Sequence, residues 1–139
     1  MSNIKVALAG AGAFGIKHLD AIANIDGVEV VSLVSRDLEK TRAVAAKYGI
    51  GHATTDLGEA LARLDVDAVI LCTPTQMHAA QAKACLEAGK HVQVEIPLCD
   101  VLKEGEEVVA LQKKTGLVAM CGHTRRFNPS HQYVRRRIQ

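Results

Sequence analysis

Residues 4 to 15 read Ile4-Lys5-Val6-Ala7-Leu8-Ala9-Gly10-Ala11-Gly12-Ala13-Phe14-Gly15. The short apolar run Ile4–Ala9 predicts a buried parallel strand. It feeds directly into Gly10, Gly12 and Gly15, which match G-x-G-x-x-G. From Ala13 the pattern turns helical, with Phe14, Ile16, Leu19, Ile22 and Ala23 recurring at spacings near three and four. Strand, glycine turn and helix thus follow in the order that a dinucleotide-binding unit requires. Gly10 permits the tight turn. Gly12 lets main chain approach a pyrophosphate. Gly15 lets the helix sit close to the strand. The helix N-terminus offers unpaired N–H donors and a positive dipole end to the phosphates.

The same alternation continues to the end of the chain. Val28–Val34 is rich in β-branched residues and predicts a second strand. Strands are also expected over 50 to 53, 67 to 72, 91 to 95 and 117 to 121. Helices are expected over 38 to 48, 57 to 63, 73 to 88 and 101 to 114, and from about Ser130. Asp37 and Asp56 read as helix N-caps. Six strands alternating with helices define an α/β fold: a doubly wound parallel Rossmann sheet, of expected order 3-2-1-4-5-6. Residues 1–122 form this domain. Residues 123–139 read as a loop and the start of a helix leading towards a further domain.

The tip of the second strand bears on cofactor choice. An acidic residue there would bind the ribose 2′-OH of NAD. Here the tip reads Ser35-Arg36-Asp37. Ser35 can donate a hydrogen bond to a 2′-phosphate, and Arg36 can neutralise it and stack on adenine. With Asp37 read as a cap, NADP is favoured over NAD. The competing reading is that Arg36 is a solvated surface charge.

All three prolines, Pro74, Pro97 and Pro129, fall just past strands four, five and six. That edge of a parallel sheet is where ligands bind. Thr73, Thr75, His78, Glu95, His123, Arg125 and Arg126 gather beside them. His78 is either a surface histidine or part of a nicotinamide pocket. Glu95 ends a buried strand, where an unpaired carboxylate is costly. It either binds the nicotinamide ribose or pairs with a nearby Lys or Arg. His18, His52 and His91 carry no expected role, and Met77 and Met120 read as packing residues.

Composition excludes several classes. Two Phe, two Tyr and no Trp in 139 residues argue against a base-stacking nucleic-acid platform, as does a net charge of only +2. Arg135, Arg136 and Arg137 lack an accompanying reading helix or aromatic set. The four cysteines show no C-x-x-C, so no metal site is expected, and all four read as small buried hydrophobes. No apolar run is long enough to span a bilayer and no leader pattern precedes the first strand. The expected compartment is the reducing cytoplasm.

The stretches Gly10-Ala-Gly-Ala-Phe-Gly-Ile-Lys-His-Leu-Asp20, Thr73-Pro-Thr-Gln-Met-His-Ala79 and Val94-Glu-Ile-Pro-Leu98 resemble the glucose–fructose oxidoreductase/inositol dehydrogenase (Gfo/Idh/MocA) family. The resemblance covers the whole chain as that family's N-terminal nucleotide-binding domain. Residues 71–78, 91–97 and 122–133 look most like a member that oxidises the cyclic hemiacetal of a carboxylated semialdehyde with NADP, in the breakdown of aromatic compounds. The resemblance implies that Gly10, Gly12, Ala13, Phe14 and Gly15 hold the pyrophosphate, with Ser35 and Arg36 on the 2′-phosphate. Cys72, Thr73, Pro74, Thr75, His78, Glu95 and Ile96 would line the nicotinamide-ribose side. Arg125 and Arg126 would meet substrate carboxylates, and His123 would accept a proton. It also implies a C-terminal α+β domain, absent from this chain, that binds substrate and mediates homo-oligomerisation. There is one departure. Most members read Glu-Lys-Pro where this chain has Glu95-Ile96-Pro97, so the lysine that assists hydride transfer is missing. The alternative class is a non-catalytic NADP(H)-binding module.

Overall fold

The computed structural model describes residues 3–139. The elements are β1 (Ile4–Ala9), α1 (Ala13–Ile22), β2 (Val28–Val34), α2 (Leu38–Lys47), β3 (His52–Thr54), α3 (Leu57–Leu61), β4 (Ala68–Leu71), α4 (Thr75–Glu87), β5 (His91–Glu95), α5 (Leu102–Thr115) and β6 (Ala119–Gly122). A short 3-10 turn (Thr124–Phe127) and α6 (Pro129–Ile138) follow. The sheet is parallel throughout, in the order β3-β2-β1-β4-β5-β6.

β1 sits at the centre because it is apolar on both faces. Ala7 and Ala9 point into one core, with Ala60, Ala79, Ala82, Cys85, Leu86 and Val108 from α3, α4 and α5. Leu8 points into the other, with Leu19 of α1, Ala45 of α2 and Ile50. This is the two-residue alternation of a strand covered on both sides. The register places Ala9 beside Val34 and Leu71, and Glu95 beside Gly122. The C-terminal ends of five strands therefore open onto one edge.

The helix caps match the sequence. Asp37 accepts the Lys40 N–H at 3.1 Å and Asp56 accepts the Gly58 N–H at 2.7 Å. Element boundaries shift by one or two residues at several places, three of them for a clear local reason. β3 begins at His52, because the Ile50 N–H closes the end of α2 on the Ala45 carbonyl at 2.9 Å and the Ile50 side chain enters the core. β6 begins at Ala119. The Leu117 carbonyl accepts from Gln112 Nε2, and the Val118 N–H donates to His91 Nδ1, so side chains hold both residues. α3 stops at Leu61, and Lys90 Nζ beyond it donates to the Arg63 and Val66 carbonyls at 2.9 and 2.7 Å. α6 starts at Pro129, with Asn128 as its cap.

The expectation that all four cysteines are buried holds only for Cys85. Cys72, Cys99 and Cys121 are half-buried free thiols near the C-terminal edge of the sheet or the loops beyond it.

Candidate functional site

Three adjoining cavities run along the C-terminal edge. The glycine turn sits at their junction. Gly10 has φ +106°, and a Cβ placed on it would stand 2.3 Å from the Cys72 carbonyl oxygen. A Cβ on Gly15 would stand 1.8 Å from the Gly10 carbonyl oxygen, so helix α1 is pressed onto the turn itself. The Gly10 carbonyl carbon follows at 2.9 Å and Leu8 Cδ2, from the strand, at 3.3 Å. Gly12 is different: a Cβ there would meet nothing within 4 Å. Its bare Cα faces open space at the start of α1, whose first turn carries no acidic residue and no side-chain cap. The free N–H groups of that turn suit a diphosphate.

The roots of the loops are fastened to neighbouring strands. The Gly10 N–H donates to the Val34 carbonyl at 2.8 Å, the Ser35 N–H to Thr54 at 3.1 Å, and the Cys72 N–H to Ala9 at 2.7 Å.

The middle cavity, of about 430 Å³, has Gly10, Gly12, Ser35 and Arg36 on one wall and Thr73, Pro74, Met77 and Gln81 on the other. Thr73 Oγ1 donates to Gln81 Oε1 at 2.5 Å, which fixes that second wall. Met77 is 42% exposed and faces the cavity, so the expectation that it is a packing residue is corrected. Met120 is likewise exposed. A second cavity of about 430 Å³ continues outward past Ser35 and Arg36 to Asp37, Lys40 and Thr41.

The third cavity, of about 520 Å³, shares Cys72, Thr73 and Pro74 with the middle one. Phe14, Thr75, His78, Glu95 and Ile96 line it, with Thr124, Arg125 and Asn128 closing the far side. His78 is 2% exposed, so the surface reading fails. Its Nε2 lies 2.6 Å from the Thr73 carbonyl and its Nδ1 2.7 Å from that of Pro97. The ring sits between the loops after β4 and β5, with one nitrogen beside the carbonyl of each.

Glu95 pairs with neither Lys nor Arg. Its Oε1 lies 2.7 Å from Nε2 of His18, a residue with no role expected from sequence. Burial, reinforced by the Glu95 charge, pushes the Cys72 thiol up to about 12, and the same causes raise Cys121. Ile96 presents an apolar, part-exposed side chain where the family lysine would stand.

His123 does not line this cavity. Its ring is exposed and its Nδ1 contacts the Cys121 carbonyl at 3.2 Å. Arg125 borders both this third cavity and a basic cleft that it shares with Arg126, Gln132, His131 and Arg135. Arg126 borders that cleft alone. Sequence reasoning thus missed His18, Lys40, Met77, Gln81, Thr124 and Asn128. Only Met77 and Gln81 left a signal, lying four apart on the helix that follows Pro74.

A glycine turn suited to a diphosphate, a cation-bearing wall after β2 and a mixed polar and apolar pocket beyond β4 and β5 define the nucleotide-binding domain of an oxidoreductase. The chain belongs to the Gfo/Idh/MocA family: that family's model, described as "Oxidoreductase family, NAD-binding Rossmann fold", matches residues 4–123. A 4-carboxy-2-hydroxymuconate-6-semialdehyde dehydrogenase of Sphingobium sp. is 67% identical over 97% of this chain and 43% of its own length. A Lactobacillus casei scyllo-inositol dehydrogenase, solved with NAD(H) and scyllo-inositol, superposes with a TM-score of 0.92 at 25% identity, over 99% of this chain and 41% of that one. A 3-ketoreductase from Actinomadura kijaniata, solved with NADP, gives 0.89 at 28% identity, over 96% and 42%. The chain therefore spans less than half the length of these relatives.

Proposed function

We propose that this chain is the NADP-binding part of a dehydrogenase that oxidises the hemiacetal of 4-carboxy-2-hydroxymuconate-6-semialdehyde to 2-pyrone-4,6-dicarboxylate, in the protocatechuate 4,5-cleavage route of aromatic degradation. The observation carrying this reading is the 67% identity to the Sphingobium dehydrogenase over nearly the whole chain. The cofactor, when bound, supplies a hydride acceptor at nicotinamide C4. The protein's own residues supply position. Gly12, Ala13 and Phe14 present the start of α1 to the pyrophosphate, and Ser35 and Arg36 receive the 2′-phosphate. Thr73, Pro74, His78 and Glu95 shape the nicotinamide side.

Arg125 faces the cavity where a carboxylated substrate would enter, and Arg126 extends the positive charge outward. We assign His123 to take the hydroxyl proton, a role that requires its exposed ring to turn from the Cys121 carbonyl towards the cavity. A hemiacetal hydroxyl is more acidic than that of a simple alcohol, so a weaker base than the family lysine serves, which accords with Ile96. A C-terminal α+β domain would complete the substrate pocket and join protomers. We place the protein in the cytoplasm, on the four free thiols. No helix among the described residues is long and apolar enough to cross a membrane.

The test is the rise in absorbance at 340 nm when full-length protein meets the hemiacetal and NADP. Turnover of inositols but not of the hemiacetal would sink the substrate assignment. Ile96 also favours a second reading, a non-catalytic NADP(H)-binding module. Tight cofactor binding with no turnover of either substrate would support it.

A further inference from the structure

Helix α1 turns two side chains towards the end of β5. Phe14 lines the cavity beyond β4 and β5, and His18, one turn further along the same helix face, reaches Glu95. The two oxygens of Glu95 differ. Oε1 lies 2.7 Å from His18 Nε2. Oε2 has no hydrogen-bond partner among the described residues, yet it is not sealed from solvent, and Glu95 lines the cavity. An ionised carboxylate only accepts, so in that state the His18 Nε2–H donates to Oε1. Gly122, beside Glu95 in the sheet register, leaves the room for this contact: a Cβ there would stand 3.2 Å from Oε1. Two thiols flank the carboxylate. Burial first, and then the Glu95 charge, raise Cys72 and Cys121, so neither competes with His18 as a charged partner.

A glutamate side chain has much rotamer freedom to lose when it binds a ligand. A partner that holds one oxygen beforehand removes that loss and leaves the other oxygen aimed. A ribose presents hydroxyl donors that suit a single free carboxylate oxygen. We propose that His18 is a positioning residue, which holds Glu95 by Oε1 so that Oε2 accepts a hydroxyl of the ribose carrying the nicotinamide. The ring touches no ligand and acts through the carboxylate. This rests on the reading above that the cavity beyond β4 and β5 takes the nicotinamide riboside of NADP. The opposing possibility is that the contact only braces α1 against the sheet.

Calorimetric titration of NADP and of adenosine 2′,5′-diphosphate into the full-length protein separates these. The second ligand lacks the nicotinamide riboside, so it reports the glycine turn and the wall after β2 alone. His18→Phe keeps a ring without the donor. It should weaken NADP roughly three- to ten-fold and leave the adenosine diphosphate unchanged. His18→Gln, whose amide N–H can donate, should recover part of that loss. In a Glu95→Ala background His18→Phe should weaken NADP no further, because the ring acts through the carboxylate. His18→Asn, whose shorter side chain stops short of Glu95, serves where His18→Phe does not fold. Unchanged NADP affinity in the donor-less variant overturns the proposal. So does an equal loss for both ligands, which marks a bracing role, a further loss in the Glu95→Ala background, or a His18→Gln variant no better than the donor-less one. Wild type that binds NADP no more tightly than the adenosine diphosphate defeats the reading of the cavity itself, and the proposal with it.

Discussion

His18 on α1 and Glu95 at the end of β5 meet through a 2.7 Å contact between Nε2 and Oε1, across 77 residues of sequence. The side chains are 20% and 11% exposed. The contact ties the helix that follows the glycine turn to the wall of the cavity beyond β4 and β5. Leaving either partner alone strands a part-buried polar group. In a double-mutant cycle of His18→Ala and Glu95→Ala, urea denaturation should give a coupling of about 1 kcal/mol. Additive losses would mean the two groups are neighbours without an energetic link.

Arg36→Ala should weaken NADP binding by about 1.5 kcal/mol, the lower end for a charge-assisted hydrogen bond because the side chain is exposed in the free protein. NAD affinity should not move. Fluorescence titration of both cofactors checks this, and an unchanged NADP affinity would make Arg36 a surface charge.

Gly12→Ala and Gly15→Ala should fail in opposite ways. A methyl on Gly12 meets no protein atom, and the residue holds an extended conformation that alanine adopts freely. That variant should unfold within about 1 kcal/mol of wild type, as expected for an N-cap Gly→Ala change, yet lose cofactor. A methyl on Gly15 lands on the Gly10 carbonyl. That variant should lose more than about 2 kcal/mol of stability, because main chain must move. Urea midpoints together with cofactor titrations distinguish the two. Normal cofactor affinity in Gly12→Ala would remove the turn from the binding site.

Cys85 is fully buried, and burial pushes its thiol up to about 12. The unfolded chain releases that proton near the ordinary thiol value of 9.0. A raised pKa stabilises the fold fully below the unfolded value, and the stabilisation is lost as pH climbs towards the folded one. Stability should therefore fall between pH 9 and 12, by on the order of 1 kcal/mol per pH unit for this thiol. Cys85→Ala should flatten the slope of urea midpoint against pH. An identical slope in the variant would put the alkaline loss elsewhere.

The sheet order and the glycine turn were legible because each depends on local pattern. Apolar runs mark the strands, Asp37 and Asp56 mark helix starts, and G-x-G-x-x-G needs no distant partner. What failed was contact across the fold. His18 gave no sign of its link to Glu95, because nothing near either residue in sequence encodes the pairing. Ile50 looked like strand and became core, since closure of α2 took its N–H first. His78 was ambiguous for the same reason: two carbonyls from separate loops decide its role, and periodicity carries no information about either. His123 has the right chemistry for a proton acceptor, yet a local contact with the Cys121 carbonyl, which sequence does not show, keeps it out of the cavity lining.

The bonds from Gly10 to Val34, Ser35 to Thr54 and Cys72 to Ala9 bear on the entropy of binding. Each makes the first residue of a loop behave as the last residue of the sheet. Loops that are fixed at their roots have few conformations left to surrender. Ordering a free main-chain residue costs about 1–2 kcal/mol, and here that cost is met during folding rather than when the cofactor arrives. The cavities that these loops wall should thus bind a ligand as a rigid mould, with a small entropic penalty.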